Sequence, residues 1–225
     1  MLGIISDVHG NYPALKAVLE KLDAAGCKEI ISLGDVCGYY CMVNECIETL
    51  RERNVKNIIG NHDFYIIHNG KCERSYSVNV CLDYQRKILT EKNLEWVKES
   101  VSYIKKDDMW MVHGGWNDYV DEYISDFSFL DEKNADTNLF ISGHTHVQKQ
   151  VVGKNATYFN PGSVGQPRDH IPTAAYAIID DEKNIFLNRT EYDIDEIDFA
   201  MRKAGFAERF TSCLYHGMKI GEDGR

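Results

Sequence analysis

Apolar positions along the chain fall in short runs, each cut off by a polar cluster. MLGIIS ends at the loop DVHGN. A helix is predicted next: Asn11 can cap it, Pro13 suits its first turn, and Leu15, Val18, Leu19 and Leu22 recur at helical spacing before Gly26 closes it. The strand EIISL stops at Gly34-Asp35. A second helix over residues 42–53 sets Val43, Ile47 and Leu50 on one face, and NIIG is a strand ending at Asn61-His62-Asp63. This βαβαβ order predicts a parallel sheet with crossover helices. Residues 74–100 read as two helices with Thr90 as the cap between them, Leu94 and Trp96 packing on the body. MWMVHGG is a strand with His113 at its end, residues 117–137 are loop with some helix, and NLFISGHTH is strand plus loop. VQKQVVG, ATYFNPGSV, AAYAIID and NIFLNRTEY follow as short strands, expected to be antiparallel, with a tight turn at Asn160-Pro161-Gly162-Ser163. DIDEIDFAMRKAGF is predicted to be helical, and residues 206–225 form a tail without an assigned element. No repeat, low-complexity tract or linker divides the sequence, so one domain over residues 1–225 is expected.

Composition narrows the picture without changing it. With 225 residues, 44% hydrophobic and 27% charged, the chain can bury a sizeable core. A formal net charge of −10 and a pI near 5.3 speak against an extended basic nucleic-acid surface. They leave a nucleotide substrate open, because bound metals add positive charge that side-chain counting misses. The seven cysteines are odd in number and form no CxxC pair, and no stretch is apolar enough to span a bilayer or act as a secretory signal. Reduced thiols in a cytoplasmic protein are expected. A zinc site from Cys37, Cys41 and Cys46 is disfavoured by irregular spacing and the lack of a fourth ligand nearby.

The chemistry lies in five short motifs: Asp7-Val8-His9, Gly34-Asp35, Gly60-Asn61-His62-Asp63, His113-Gly114 and Gly143-His144-Thr145-His146. Each alone is weak. An isolated histidine is more often a surface or hydrogen-bonded core residue than a ligand, and an Asp after Gly is more often a turn residue. As a set they mean more, because each follows a predicted strand and ligands of open α/β sheets bind beyond the carboxyl ends of the strands. Carboxylate, amide and imidazole donors suit Mn, Fe, Zn or Co. Two divalent ions about 4 Å apart repel, and a shared carboxylate reduces that repulsion. Asp35, alone in its motif between two ligand groups, is the natural bridge.

This ordered set, with the stretch LGDVCGYYCMVNECIETL, the helical pair 77–99 and the run NPGSVGQPRD, closely resembles the calcineurin-like metallophosphoesterase superfamily. Within it, the chain is similar to the small, cap-less bacterial and archaeal phosphodiesterases over most of residues 1–180. The resemblance implies an α/β fold, a four-layer αββα sandwich of two mixed β-sheets flanked by helices. It assigns Asp7, His9 and His146 to one metal, Asn61, His113 and His144 to the other, and Asp35 to both. The implied cofactors are two divalent ions, Mn first, with Fe, Zn, Co or Ni as alternatives. His62 matches the family histidine that contacts the phosphate or protonates the leaving oxygen, and Asp63 would orient it. The implied reaction is hydrolysis of a phosphodiester, or a phosphomonoester, by a metal-bridging hydroxide with no covalent enzyme intermediate. Dinucleoside polyphosphate hydrolases and phosphoprotein phosphatases share this metal core. The reading from another class is a noncatalytic scaffold module of the same fold; the presence of His62 and all seven ligands argues against it. A nuclease is disfavoured by the acidic balance. Expected partners are a small phosphate ester or nucleotide, with no membrane; a homo-oligomer stays open.

Around the motifs several residues have two readings. Arg168, in QPRD, fits a phosphate contact through its planar fork or a salt bridge with Asp169. Asn117, Asp118 and Tyr119 fit a solvated loop better than a pocket wall. Tyr39, Tyr40, Phe64 and Tyr65 fit packing between loops better than stacking on a substrate ring. His170 is expected to be exposed, and His68 and His216 have no partner that the sequence identifies.

Overall fold

Strand β1 (Leu2–Ile5) is buried along its whole length, and a strand apolar on both faces belongs inside a sheet covered on both sides. The computed structural model describes residues 1–134 and 136–222. In it, β1 lies at the centre of a five-stranded sheet with β2 (Glu29–Ser32), β3 (Lys56–Asn57), β9 (Ala174–Ile179) and β10 (Ile185–Thr190), in the order β10-β9-β1-β2-β3. The second sheet contains β4 (Ile104–Lys106), β5 (Met109–Met111), β6 (Leu139–Ile141), β7 (Lys149–Val152) and β8 (Thr157–Asn160), in the order β4-β5-β6-β8-β7. Both sheets are mixed. β1, β2 and β3 are parallel, as are β5, β6 and β8; the remaining pairings are antiparallel.

The two-residue side-chain period sorts the apolar residues into layers. Leu2, Ile4, Ile31 and Ala177 of the first sheet meet Met109, Met111, Leu139, Ile141 and Phe159 of the second in an inner core. Ile5, Ile30, Tyr176 and Ile178 point the other way, into the helical layer. There α1 (Tyr12–Ala24) buries Leu15, Val18, Leu19 and Leu22, and the Asn11 side chain accepts from the Ala14 N–H at its start. Fully burying such aliphatic side chains stabilises by about 1.5–3 kcal/mol each. Helices α2 (Val43–Glu52), α3 (Asn61–Ile67), α4 (Tyr76–Ile88), α5 (Glu91–Lys98) and α6 (Ile194–Lys203) complete this layer. The outer face of the second sheet, with Trp110, Phe140 and Tyr158, is covered by Trp116, Phe127, Phe129 and Leu130. They come from a loop that contains a 3₁₀ turn at Ser128–Asp131. The expected sandwich of two mixed sheets is formed, its fourth layer built mainly from this aromatic loop.

Three expectations need correction. The strands of the second half are not simply antiparallel, since β6 pairs β8 in parallel. Short apolar runs separated by turns read as hairpins, and β7 and β8 do pair so, but β8 also lies alongside β6, and the Asn160 amide at its end donates to the Gly143 carbonyl in the loop after β6 at 2.6 Å. The strand NIIG lies one residue earlier than expected and is short: β3 ends at Asn57, and Ile58 makes a single bridge to Val101. Asn61-His62-Asp63 does not end in loop but opens α3, whose N-cap is the extended Gly60 (φ −96°, ψ 173°). The Asp63 carboxylate at its third position accepts from the Gly60 N–H at 3.3 Å, as first-turn acids do. In the tail, 3₁₀ turns at Glu208–Phe210 and Ser212–His216 bury Phe210, Cys213 and Leu214; residues 223–225 lie outside the described residues. No helix among the described residues is long and apolar enough to cross a membrane.

Candidate metal centre

Parallel strands set their carboxyl ends at one edge, so the loops after β1, β2, β3, β5, β6 and β8 meet there. Backbone bonds tie them together: Asp7 N–H donates to Gly34 O at 3.0 Å, His9 N–H to Asp35 O at 2.9 Å, and Gly165 N–H to Asp7 O at 2.9 Å. Asp7, His9, Asp35, His144 and His146 all have φ between 54° and 67°. This left-handed region costs a non-glycine residue about 1–3 kcal/mol and is found where function requires it. It turns the chain so that Asp7 and His9, like His144 and His146, aim inward together although one residue separates them. Gly60 is required for a different reason: a Cβ there would sit 2.0 Å from Asp35 Oδ1.

The inward atoms form a cluster of lone pairs. His9 and His146 place their Nε2 atoms 3.1 Å apart, and Asp7 Oδ1 lies 3.2 Å from His146 Nε2 and 3.8 Å from His9 Nε2. On the other side, Asn61 Oδ1 is 3.3 Å from His113 Nε2 and 3.1 Å from His144 Nδ1. Between them stands Asp35 Oδ2, 3.9 Å from His9 Nε2 and 3.4 Å from His113 Nε2. Donors held about 2.1 Å from one ion are about 3.0 Å apart at right angles and about 3.4 Å apart at the tetrahedral angle.

The outward nitrogens decide what the inward ones can be. His9 Nδ1 is 2.8 Å from Cys37 O, His113 Nδ1 2.9 Å from Leu33 O, and His146 Nδ1 2.6 Å from Gln166 O. A carbonyl only accepts, so each Nδ1 carries a proton, and each ring in its neutral form turns a bare Nε2 inward. Each carboxylate is likewise half used. Asp7 Oδ2 accepts from Ser6 Oγ at 2.6 Å and His144 N–H at 3.1 Å, and Asp35 Oδ1 accepts from His62 N–H at 2.8 Å. Asp7 Oδ1 is buried with no hydrogen-bond partner among the described residues. Acceptors facing acceptors in a buried site repel unless a proton or a cation lies between them. The donor set therefore fits divalent metal ions.

Electrostatics supports this. Burial pushes His9, His144 (to about 3) and His146 below the ordinary imidazole value, which keeps them neutral and free to ligate. Burial also lowers His113, but the Asp35 carboxylate outweighs it and lifts the ring to about 9. Burial raises Asp7 and Asp35, yet His146 beside Asp7, and His113 and His62 beside Asp35, hold both well below the usual carboxylate range. Among the described residues the buried groups able to hold a metal are Asp7/His9/His146, His9/Asp35/His62 and Asp35/His113/His144. They open into a pocket of about 200 Å³. A larger cavity of about 480 Å³ lies at the opposite strand ends, near Met1, Lys106 and Asp181, away from these donors.

The family model for the calcineurin-like phosphoesterase superfamily domain matches residues 1–184. The chain belongs to that superfamily. It is similar to a metallophosphoesterase from Sphaerobacter thermophilus, with 32% identity, coverage of 96% of this chain and 98% of that one, and a TM-score of 0.82. The uncharacterized protein MJ0912 of Methanocaldococcus jannaschii is 31% identical over 224 residues, covering 86% of this chain and 88% of that protein. The hypothetical protein PH1004 of Pyrococcus horikoshii OT3 shares the fold at a TM-score of 0.82 and 23% identity, over 97% of this chain and 100% of that one. Membership supports a hydrolase acting on phosphoric esters, in a metal-dependent family.

Within this superfamily member, several residues take other places than the sequence suggested. Asp63 does not bond the His62 ring. Its buried carboxylate accepts from the backbone N–H groups of Asp35 and Cys37, both at 2.9 Å, so it holds the Asp35 loop. His62 Nε2 is 4.0 Å from Asp35 Oδ2, and its Nδ1 has no hydrogen-bond partner among the described residues. Asp169 pairs with Arg189 rather than Arg168. Arg168 lines the pocket and donates to Tyr39 Oη at 2.8 Å and to Gln166 Oε1. Tyr39 packs edge-on against His9 at 4.6 Å between ring centroids, and Tyr40 is buried with Gln166 donating to its hydroxyl at 3.1 Å. Phe64 and Tyr65 lie beside His68 and His62 respectively. Asn117 bonds Glu122 outside the pocket, and Tyr119 packs on Trp110. His170 is exposed. None of the cysteines is held in a disulfide, and none joins a metal-ligating group among the described residues.

Sequence reasoning missed Gln85. This buried residue of α4 accepts from Gly38 N–H at 2.7 Å and donates to Tyr40 O at 2.6 Å, bracing the loop beside His9. The signal was available: Val78, Cys81, Leu82 and Gln85 share one helical face, and a polar residue on a buried stripe requires a buried partner. Tyr123, Arg74 and Lys219 also line the pocket, but no local pattern marks them.

Proposed function

We propose that this protein is a binuclear metal-dependent phosphoesterase that hydrolyses phosphodiesters. The observation that carries the reading is Asp35 Oδ2, which stands between one set of convergent donors containing His9 and another containing His113. Asp7, His9 and His146 would hold one ion, Asn61, His113 and His144 the other, and Asp35 would touch both. Two bound divalent ions, manganese being the first choice, would supply an activated water near neutral pH and neutralise charge developing on the phosphoryl oxygens.

The chain's own residues do the rest. Burial pushes His62 down to about 4, so in the free protein its ring is neutral and presents an N–H or a lone pair to the pocket. The negative charge of a bound phosphate draws a proton onto this ring, which then donates it to the leaving alkoxide. Such donation contributes about 10²–10⁴ in rate. Arg168, held by Tyr39 and Gln166, keeps its remaining guanidinium N–H available to an anionic part of the substrate. Asp63 keeps the Asp35 loop in place. The complete set of inward donors argues against a noncatalytic scaffold, which has no need for strained, buried ligands. A cytoplasmic location, with the cysteines outside disulfides, belongs to this reading.

The test is hydrolysis of bis-nitrophenyl phosphate. Activity should vanish on chelation and return with Mn²⁺, with about two metal ions per chain by elemental analysis. Activity that persists in metal-free protein would overturn the proposal.

A further inference from the structure

The tail beyond the family-matched part of the chain comes back to the metal pocket. Cys213 and Leu214 are buried, Leu214 within the helical layer. At Gly217 the chain turns in the left-handed region (φ 59°), where a Cβ would lie 2.5 Å from the Ile171 nitrogen. The Gly217 carbonyl accepts from His170 N–H at 2.9 Å, and Met218 N–H donates to Cys213 O at 3.0 Å. This clasp fastens the tail to residues 170–171, next to Arg168, and sets the exposed Lys219 at the mouth of the pocket.

The charges at this mouth are unequally matched. Arg74 is paired with Asp121 at 2.5 Å. Arg168 and Lys219 make no ion pair with a carboxylate among the described residues. Inside, two divalent ions would outweigh the charges of Asp7, Asp35 and the activated hydroxide by one, which the single negative charge of a phosphodiester already matches. Two further unmatched cations in the same pocket call for more negative charge than one phosphoryl group carries.

Resting on the proposed phosphoesterase function, we infer that the C-terminal tail is the substrate-selecting wall of the site. In this reading Lys219 and Arg168 grip a second phosphoryl group of the substrate, beyond the one hydrolysed. The substrate class is then an ester or anhydride carrying at least two phosphoryl groups, a phosphorylated nucleotide being the simplest form. Lys219 is a specificity residue, brought to the site by the Gly217 clasp.

The experiment compares binding of AMP and of adenosine 3′,5′-bisphosphate to the full, Mn²⁺-loaded chain by calorimetry. The two share a base and differ by one phosphoryl group. The wild type should bind the bisphosphate at least about tenfold more tightly, as expected for a charge-assisted contact. Lys219→Met should reduce that ratio to about threefold or less, and Lys219→Arg should retain it. Lys219 is exposed, so neither change threatens the fold. Equal affinities in the wild type, or a preference that survives Lys219→Met, would overturn the inference. Hydrolysis of bis-nitrophenyl phosphate by the same samples is read separately. If it fails, the proposed function falls, while the binding ratio still judges the tail.

Discussion

Replacing Asp63 by alanine separates two roles for a residue that the sequence placed beside His62. In the structure the fully buried carboxylate accepts from Asp35 N–H and Cys37 N–H at 2.9 Å and from Gly60 N–H at 3.3 Å. At about 2 kcal/mol for each buried donor left without a partner, the loss is about 6 kcal/mol. A second effect opposes it. Burial, then the neighbouring Asp35 charge, raises the Asp63 carboxyl from 3.8 to about 6. The folded value is the higher one, so a cost of about 3 kcal/mol is present at pH 7 and disappears below pH 3.8, where the group is neutral in both states. Asp63→Ala removes that cost. The net destabilisation of metal-free protein is therefore about 3 kcal/mol at pH 7, and about 1 kcal/mol larger at pH 5. Urea unfolding followed by circular dichroism should show a midpoint about 1 M lower at pH 7, and metal content should fall because the Asp35 loop is released. The reasoning is refuted if the variant keeps its stability and both metals and loses only turnover of substrates with poor leaving groups. That outcome would return Asp63 to orienting His62.

Three further outcomes are expected. Asp35→Asn removes the charge between the two donor sets and should cost both metals, so elemental analysis showing full occupancy would rule out the shared position. His62→Ala should retain metal and lose about 10²–10⁴ in turnover of alkyl esters, but far less with nitrophenol as leaving group; equal losses for both would remove it from the acid role. His113 is raised to about 9 by Asp35 in the free protein, so metal uptake displaces its proton. Metal affinity should climb as pH rises from neutrality toward 9, and calorimetry in buffers of different ionisation enthalpy should read proton release at pH 7; a pH-independent affinity would contradict this.

Much of this protein is written locally. The helical spacing of Leu15, Val18, Leu19 and Leu22, the Asn11 and Thr90 caps, and the alternation of strand and polar loop depend on contacts within a few residues, and α1, α4, α5 and the β1–β3 order follow from them. The inward donors were legible for a related reason: each chemical motif directly follows a strand, and parallel strands carry their ends to one edge. What lay beyond reach depends on long-range partners. Besides its sequence neighbour β7, β8 pairs with β6, 16 residues or more upstream, and the Asn160 amide ties its end to the Gly143 loop. Asp63 serves the loop of Asp35, 28 residues away, rather than its neighbour His62, because folding brings those N–H groups within reach of its carboxylate. Arg168 is kept from Asp169 because Arg189, on a neighbouring strand, takes that carboxylate first. Lys219 reaches the pocket through a clasp between Gly217 and His170 that no sequence period announces. Propensity and hydrophobic period act over a turn or a strand and can be read residue by residue. The partner of a buried charge or an unpaired N–H is settled only when the whole chain has packed, because any distant group with the right geometry can satisfy it.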